Sequence, residues 1–464
     1  MPVPPWSTRR RAVHTTGVVA VATLLVTLAA SPIGGGDPQI RPTATSGRTI
    51  TVAQDGSGNY PTIQAAADAT RPGDTVVISS GTYAEHVRVP NDGTADARIT
   101  FTAAPGANVK IEGGPVGEED DGLILLSDRS FITIADLTVK GSTRFGIYAA
   151  GTTGIELRNV KVTDSLDGGI VFLGGSNARV LHSVISRNNA RGTKADHEGI
   201  SFGDNLDGFE LANSIVSDNG EEGVDAKYGA RNGRIHDNIV KDNRGPDVYV
   251  DSSQDIQIYN NVVTGTKHET KPSILLGVEQ VEEFERPMMA RFAAEASGRT
   301  PNVKIFNNVI TDGLNGGIGF YTEDEAAGIF VDIKILNNTV VDNPGGGLHV
   351  ISGGFEGLNV IRNNIFAGNG KGDLIGDTSK FVIDHNLFLS KPGAASDPLL
   401  FVNRAGKDLR LAPGSPALNA GVPDEAPGFD ISSAPRPAGG STDLGAFQGS
   451  GSGKLPLAAD LLNG

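Results

Sequence analysis

A 23-residue repeat runs through most of the chain and limits the folds that it can adopt. The repeat has the form apolar-x-apolar-x-Asn-Asn, as in IQIYNN, VKIFNN and IKILNN. Its second apolar residue recurs at Ile134, Leu157, Val180, Leu211, Ile235, Ile258, Ile305, Ile335, Ile361 and Ile383. A second column, an apolar residue that in most cases follows a glycine, recurs in phase with the first at Ile147, Ile170, Ile200, Val224, Val248, Ile274, Ile318 and Leu348.

Runs of alternating apolar residues bounded by Gly, Asn or Asp predict short strands with one buried face. With this period and no helical segments between them, the strands can bury that face only against neighbouring repeats. We therefore expect an all-β fold, a parallel β-solenoid with asparagine ladders at its bends. A sandwich or barrel is the alternative, but it would not keep one column in register over so many repeats.

Departures from the period predict inserts and caps. RNNARGTKADHE (187–198) lengthens one coil, and VEQVEEFERPMMARFAAEASG (278–298) fills a longer gap, so we expect an insert at 278–300 in a solenoid domain spanning 49–394. The alanine-rich segment 61–74 predicts a helix that caps the N-terminal end, because open strand edges invite aggregation. Residues 395–464 are loop-rich and predict a C-terminal cap and tail.

Residues 1–30 have the layout of an export signal. Arg9, Arg10 and Arg11 precede a mostly apolar run that ends in small residues. A retained membrane anchor is the alternative, although the run is interrupted by His14, Thr15 and Thr16. We expect cleavage, no stable membrane anchor afterwards, a flexible leader at 31–48 and a secreted protein.

The charge balance excludes some partners. The chain has 39 Lys and Arg against 54 Asp and Glu, a formal net charge of −15. A nucleic acid is therefore not expected as a partner, because affinity for its backbone comes from cationic side chains. The chain has no Cys, which removes disulfides, thiolate metal sites and thiol nucleophiles.

Acidic residues concentrate on two adjacent coils. Equivalent positions in successive coils lie about 4.8 Å apart, so a column can be read as a row on the surface. One place after the second column come Ser201, Asp225 and Tyr249, and the acids nearby are Glu198, Glu221, Glu222 and Asp225, with Lys227, Tyr249 and Asp251 beside them. Such hard-oxygen clustering suits Ca²⁺. The alternative is an ordinary solvated row on an acidic protein.

Three phrases resemble a known family. NYPTIQAAADATRPGDTVVISSGTYAEHV, EGISF and NGEEGVDAKYG are similar to the pectate-lyase-type right-handed parallel β-helix superfamily, and most closely to polysaccharide lyase family 9. The fold resemblance covers residues 50–390 and the site resemblance 197–251. It implies a right-handed, single-stranded β-helix and a Ca²⁺ site made of Glu198, Glu221, Glu222 and Asp225, three of which are Glu where the family has Asp.

The general base departs from the family pattern. The family has a Lys where this chain has Tyr249, and Lys227 lies one coil earlier, so either residue is a candidate base. Arg231 and Arg244 are candidates for pairing with a uronate carboxylate, with Asp251 as a further substrate contact. Solvated turn residues are the alternative for the two arginines, and a plain salt-bridge partner is the alternative for Lys227.

The leading hypothesis is a secreted, monomeric, Ca²⁺-dependent lyase that cleaves an acidic, uronate-containing polysaccharide by β-elimination. Two alternatives stay open. A glycoside hydrolase would use Asp225 with Asp251 or Glu222 as its carboxylate pair. A non-catalytic β-helix adhesin or glycan-binding module would need no acid–base machinery.

Overall fold

The structure is a computed structural model that describes residues 47–114, 116–117, 120–195, 197–279, 298–323, 328–390 and 400–451. From Gly47 onward the described residues form one compact unit. The predicted export signal and nearly all of the predicted leader lie outside the described residues, and so does most of the predicted insert at 278–300.

The described chain winds into a parallel β-solenoid with three strand-bearing faces. The first face contains Val87–Arg88, Gly122–Leu125, Phe145–Thr153, Ile170–Leu181, Ile200–Gly203, Val224–Lys227, Val248–Asp251, Ile274–Val278, Gly316–Thr322, Gly346–Val350 and Leu374–Ile375. The second face contains Thr49–Val52, Thr75–Ile78, Ile99–Ala103, Ile132–Ala135, Glu156–Arg158, Asp207–Ala212, Arg231–His236, Gln254–Tyr259, Lys304–Phe306, Lys334–Leu336, Asn359–Arg362 and Phe381–Asp384.

The third face contains Gly81–Tyr83, Val109–Glu112, Thr138–Lys140, Lys161–Thr163, Val184–Ser186, Ile215–Ser217, Ile239–Lys241, Val262–Thr264, Val309–Thr311, Thr339–Val341, Ile365–Ala367 and Leu387–Leu389. The strand Ile170–Leu181 is long enough to continue from the first face onto the second, where its later residues pair with Asp207–Ala212. Each face pairs coil by coil in parallel register. The predicted solenoid is therefore confirmed.

The interior is filled by the two predicted apolar columns. Ile170, Ile200 and Val224 are in register on the first face and fully buried. On the second face Val180 and Leu211 are equally buried and aligned. Burial of this kind contributes about 25 cal/mol for each Å² of apolar surface, so stacking of coils is the main source of stability.

Asparagine ladders run along the bends, as predicted. Asn188, Asn219 and Asn243 form one ladder, in which each side-chain amide donates to the Oδ1 of the next residue at 3.2 and 2.9 Å. A second ladder joins Asn238, Asn261, Asn308, Asn338, Asn364 and Asn386. Because these side chains are buried, the ladders supply the hydrogen bonds that buried amides need.

Bends between faces use residues that tolerate a left-handed backbone. After the strand Val224–Lys227, Tyr228 has φ 52° and Gly229 has φ 84°, and the chain then enters the second-face strand Arg231–His236. At Gly229 an added Cβ would lie 2.1 Å from Asn205 Oδ1. Glycine is thus required there by both conformation and space.

A short helix and an additional sheet complete the coils. The helix Ile63–Asp68 lies in the segment predicted to be helical, begins after the N-cap Thr62, and buries Ile63 in the core. Its role as an end cap stays a prediction. A 3₁₀ helix, Gly192–Lys194, lies in the lengthened coil. No helix in the described ranges is long and apolar enough to cross a membrane.

A three-stranded parallel sheet, Arg299–Pro301, Ile329–Val331 and Gly354–Glu356, was not predicted. It lengthens the coils near the C-terminal end of the solenoid. The described C-terminal residues contain one antiparallel pair, Phe401–Asn403 with Asp408–Leu411, and otherwise turns. They pack on the flank of the last coils, where Asn307 and Asn337 donate to backbone carbonyls of the C-terminal segment.

Candidate active site

The outward side chains of the first face form the predicted columns. Ser201 is in register with Asp225, and Asp225 with Tyr249. In the same pair of strands Lys227 is in register with Asp251. Because alternate residues of a strand point to opposite sides, these side chains share the outer surface while Val224 and its equivalents fill the core.

Lys227 lies between two carboxyl groups. Its Nζ is 2.5 Å from Glu198 Oε1 and 3.4 Å from Asp225 Oδ2. The other oxygen of Glu198 accepts a hydrogen bond of 2.5 Å from Ser201 Oγ. Glu198, on the coil before, is thus fixed on both sides, and the ammonium group serves two carboxyls on adjacent coils.

Burial shifts the pKa values of this group. Burial raises the pKa of Asp225 well above its ordinary value, although the Lys227 charge acts against it. Burial by itself lowers the pKa of Lys227, but the charges of Glu198 and Asp225 outweigh it and raise the pKa overall. Asp225 Oδ1 is buried and has no hydrogen-bond partner among the described residues. Burial therefore favours the protonated form of Asp225, and Lys227 stays a cation.

Tyr249 and Asp251 lie next to a carboxyl that the sequence did not reveal. Tyr249 Oη donates to Glu279 Oε1 at 2.7 Å. Asp251 Oδ1 accepts from the backbone N–H of Glu279 at 3.0 Å and from Ser252 Oγ at 2.8 Å. Burial, followed by the charge of the neighbouring Glu279, raises the pKa of Tyr249 well above its usual value. The same two causes raise the pKa of Asp251 to about 7. Tyr249 therefore keeps its proton at neutral pH.

Lys271 lies over the ring of Tyr249. Its Nζ lies 3.8 Å from Glu222 Oε1 and 3.8 Å from Glu279 Oε1, and 5.1 Å from the centre of the Tyr249 ring. Burial by itself lowers the pKa of Lys271, but Glu222 and Glu279 raise it overall to about 12. Burial also raises the pKa of Glu222. Lys271 is thus a second cation set among carboxyls.

Of the two arginines predicted to bind substrate, Arg244 lies at the edge of the site and Arg231 does not. Arg244 Nη1 lies 2.7 Å from Glu221 Oε1, and burial followed by the nearby Glu222 raises the pKa of Glu221 to about 7. Arg231 pairs instead with Asp207 at 2.9 Å on the second face. The structure therefore does not bring Arg231 to the other candidate residues. We call Glu198, Glu221, Glu222, Asp225, Lys227, Arg244, Tyr249, Asp251, Lys271 and Glu279 the charged cluster.

The four predicted calcium ligands do not converge on one point. Glu198 and Asp225 share Lys227, Glu221 pairs with Arg244, and Glu222 faces Lys271. Within the part of the chain that the structure describes, no group of three or more His, Asp or Glu side chains is arranged to hold a metal ion. The residues as placed do not fit a Ca²⁺ site, and calcium stays a prediction.

Two residues of the cluster were missed, although signals for them existed. Lys271 lies three places before Ile274, in the same column as His197 and Glu221, and following that column for one more coil would have found it. Glu279 directly follows the strand Ile274–Val278 at the start of the predicted insert. No sequence pattern showed that it folds back over Asp251.

A separate groove of about 760 Å³ lies on the second face and is lined by residues that include Arg179, Glu210 and Arg234. Its charged side chains pair with one another, since Arg179 lies 2.8 Å and Arg234 3.0 Å from Glu210. Burial by itself raises the pKa of Glu210, but its partners Arg179, His236 and Arg234 lower it overall. In the charged cluster burial instead raises the pKa of several acids, so we place the candidate chemistry on the first face.

Comparison with known proteins supports the fold. A family model described as "Right handed beta helix region" matches residues 121–276 and 294–388. A curated relative, the uncharacterized protein YwoF of Bacillus subtilis (strain 168), is 26% identical over 290 residues, which are 54% of this chain and 59% of the relative. The match thus spans little more than half of that relative's length.

Three solved structures of carbohydrate-active enzymes resemble the chain to different degrees. The pectate lyase Pel9A matches with a TM-score of 0.52 at 15% identity, over 87% of this chain and 97% of that one. The lacto-N-biosidase of family GH136 from Eubacterium ramulus has a TM-score of 0.46 at 13% identity, over 74% and 68%. The mannuronan C-5 epimerase AlgE4 A-module of Azotobacter vinelandii has 0.42 at 15%, over 71% and 91%.

At these identities the likeness to Pel9A shows the fold alone, and the two lower scores carry no further argument. The fold predicted from the resemblance to pectate-lyase-type proteins is confirmed. The family model covers more than half of the chain. The right-handed winding that it describes is also the usual hand of connections between parallel strands. The chain therefore belongs to the right-handed β-helix family.

Proposed function

We propose that the chain is a carbohydrate-active enzyme that cleaves an acidic, uronate-containing polysaccharide by β-elimination. The proposal depends on one observation, that Lys227, Lys271 and Arg244 lie in one cluster with Tyr249, whose hydroxyl bonds to a carboxylate. Similarity to carbohydrate-active β-helix enzymes is consistent with this class of substrate but supports only the fold.

The cations of the cluster would stabilise the charge that develops during elimination. Removing the proton at C5 of a uronate places negative charge on the adjacent carboxylate. Fixed positive groups in a site with little water stabilise such charge strongly, because they do not need to reorganise. Lys227 is suited to this role, since its raised pKa keeps it charged.

For the same reason Lys227 is a poor base, and the geometry favours Tyr249. In the proposed step Tyr249 Oη accepts the C5 proton while its own proton passes to Glu279 Oε1, 2.7 Å away. This relay does not require an ionised Tyr249, which agrees with its raised pKa. Positioned acid–base groups of this kind contribute about 10²- to 10⁴-fold to a rate.

Asp225 is the proposed proton donor to the leaving oxygen. The electrons of the C5–H bond form the C4–C5 double bond, the bond from C4 to the glycosidic oxygen breaks, and that oxygen takes the proton of the Asp225 carboxyl. Burial raises the pKa of Asp225, which favours the protonated form that this step needs. Its Oδ1, which has no partner in the described part of the chain, would give the substrate a further contact.

Calcium binding by Glu198, Glu221, Glu222 and Asp225 remains a prediction from the sequence. It would require Lys227 and Lys271 to give up their carboxyl partners, and no step above uses the ion. The secreted location, the polysaccharide partner and the monomeric state are likewise proposals. The export signal at 1–30 supports the first of these.

A glycoside hydrolase is the second candidate. The supporting observation is that two carboxyl groups on either side of Lys227 have different environments. Asp225 is buried with a raised pKa, while Glu198 accepts hydrogen bonds from both Lys227 and Ser201. Two carboxyl groups in such different environments could act as the acid and the base of a hydrolytic pair.

The test is to incubate the purified protein with polygalacturonate, polymannuronate and polyglucuronate and to follow the absorbance of unsaturated products. Parallel samples contain a chelator, with and without added Ca²⁺, to test the calcium prediction. We expect unsaturated products from at least one polymer. New reducing ends without that absorbance would support the hydrolase, and no products from any polymer would contradict both enzyme functions.

A further inference from the structure

The three cations of the charged cluster differ in how firmly they are held. The Lys227 side chain is 8% exposed and lies 2.5 Å from its partner. Lys271 is 27% exposed, and both of its carboxylate partners are 3.8 Å away, beyond the usual range of a hydrogen bond. Arg244 is 49% exposed but pairs closely with Glu221 at 2.7 Å. Lys271 is therefore the cation that a ligand can most easily recruit.

Lys271 also lies beside the proposed base, Tyr249. Tyr249 and Asp225 are each only 3% exposed. The Lys271 ammonium group lies above the Tyr249 ring and spans from Glu222 on one coil to Glu279 on another. Its ammonium group is therefore next to the proposed base.

The backbone that carries Lys271 is fixed, so only its side chain needs to move. His268 Nδ1 accepts hydrogen bonds from the backbone N–H groups of Thr270 and Lys271 at 3.1 and 3.0 Å. Burial, then the charges of Lys271 and Arg244, lowers the pKa of His268 to about 4. His268 is thus neutral at physiological pH and can accept both bonds.

We propose that Lys271 recognises the carboxylate of the substrate and moves onto it from its position over the Tyr249 ring. A uronate supplies a negative charge that competes with Glu222 and Glu279 for the ammonium group. A neutral sugar supplies none, so Lys271 stays between Glu222 and Glu279. Lys271 is thus the residue that restricts the site to acidic sugars. This inference rests on the proposed function for its substrate class.

The experiment measures binding of polygalacturonate, polymannuronate and polyglucuronate, and of their methyl esters, by calorimetry with the full-length chain. Lys271→Met removes the charge but keeps a side chain over the Tyr249 ring. Lys267→Met is the matched control, because Lys267 lies in the same segment, is more exposed and pairs only loosely with Asp218 at 3.5 Å. Lys271→Arg keeps the charge. Melting temperatures check that each variant folds.

We expect wild type to bind at least one acidic polymer more tightly than its ester, and Lys271→Met to lose about 10- to 100-fold in affinity for the acid form, the range for a hydrogen bond to a charged group. The loss should be absent for the ester, absent in Lys267→Met, and largely restored in Lys271→Arg. An equal loss for acid and ester, no loss, or no binding of any acidic polymer by wild type would overturn the inference.

Failure of the proposed function gives a different result. If wild type binds an acidic polymer through Lys271 but releases no unsaturated products, the β-elimination is wrong and the role of Lys271 stands. If wild type releases unsaturated products but Lys271→Met binds the acid form as tightly as wild type does, the role of Lys271 is wrong and the elimination stands.

Discussion

Replacing Lys227 by Met should strongly destabilise the fold. The substitution removes the ammonium group that contacts both Glu198 and Asp225 and keeps a side chain of similar length. Lys227, Glu198 and Asp225 are all nearly buried, with side chains 8%, 12% and 4% exposed. Removing one partner of a buried ion pair leaves an uncompensated charge and costs about 3–5 kcal/mol. We expect a loss of that size at pH 7.

A second substitution separates the charge effect from lost packing. The double variant Lys227→Met/Glu198→Gln also replaces the Glu198 carboxylate with a neutral amide. The amide oxygen can still accept the hydrogen bond from Ser201. We therefore expect the double variant to recover a large part of the stability. Lys241→Met is the control, because Lys241 forms a partly exposed pair with Asp242 at 3.9 Å, and such pairs contribute about 0–1 kcal/mol.

The assay is urea denaturation followed by circular dichroism. The dependence of the unfolding free energy on urea concentration must be the same in all variants, because repeat folds can unfold in steps. The loss in Lys227→Met should shrink by up to about 1.4 kcal/mol for each pH unit below neutrality, since the stranded carboxyl can take up a proton. A loss of less than about 1 kcal/mol, or no recovery in the double variant, would refute the reasoning about a buried ion pair.

Three further predictions follow from the cluster. Tyr249→Phe keeps the ring under Lys271 but removes the hydroxyl, so polymer cleavage should fall about 10²- to 10⁴-fold while polymer affinity stays the same; a rate close to wild type would exclude Tyr249 as the base. Burial raises the folded pKa of Glu221 and Asp251 to about 7, so the folded state holds protons that the unfolded chain has lost. Their contribution to stability should therefore fall as the pH rises from about 5 to 8, and Glu221→Gln should flatten the pH dependence of the urea midpoint; an unchanged dependence would contradict this. The calcium prediction expects a chelator to abolish cleavage and added Ca²⁺ to restore it, and unchanged activity would contradict that prediction alone.

Much of the solenoid could be predicted because the repeating apolar positions in the sequence determine how the coils align. One fully buried position in each coil must remain apolar, so Ile200, Val224 and Val248 mark the first face. Once that column is known, the alternation of a strand places Asp225 and Tyr249 on the outer surface in adjacent coils. The structure confirms this alignment.

The relation of Arg231 to the site could not be predicted from distance along the chain. It lies four residues after Lys227, yet the left-handed backbone at Tyr228 and Gly229 carries it onto the second face. In contrast, Lys271 is far from Asp225 in sequence but lies in the same part of a later coil. Bends between faces separate residues that are close in sequence, and stacking brings distant ones together.

The pairing of charges inside the cluster was also beyond the sequence. Four carboxyls in neighbouring coils predicted a metal, because their mutual repulsion requires a cation. The structure adds side-chain cations to this picture, with Lys227 between Glu198 and Asp225 and Lys271 facing Glu222. Which basic side chain pairs with which acid depends on the directions of the side chains, and the sequence pattern does not give these directions.

The central claim is that the charged cluster breaks a glycosidic bond by elimination, and isotope labelling tests this directly. The purified protein is incubated with the three uronate polymers in heavy-oxygen water, and the products are weighed by mass spectrometry. Elimination adds no water across the broken bond, so the account predicts unsaturated products that are one water lighter than hydrolysis products and carry no label at the cleavage point. Saturated products that carry one heavy oxygen would contradict it.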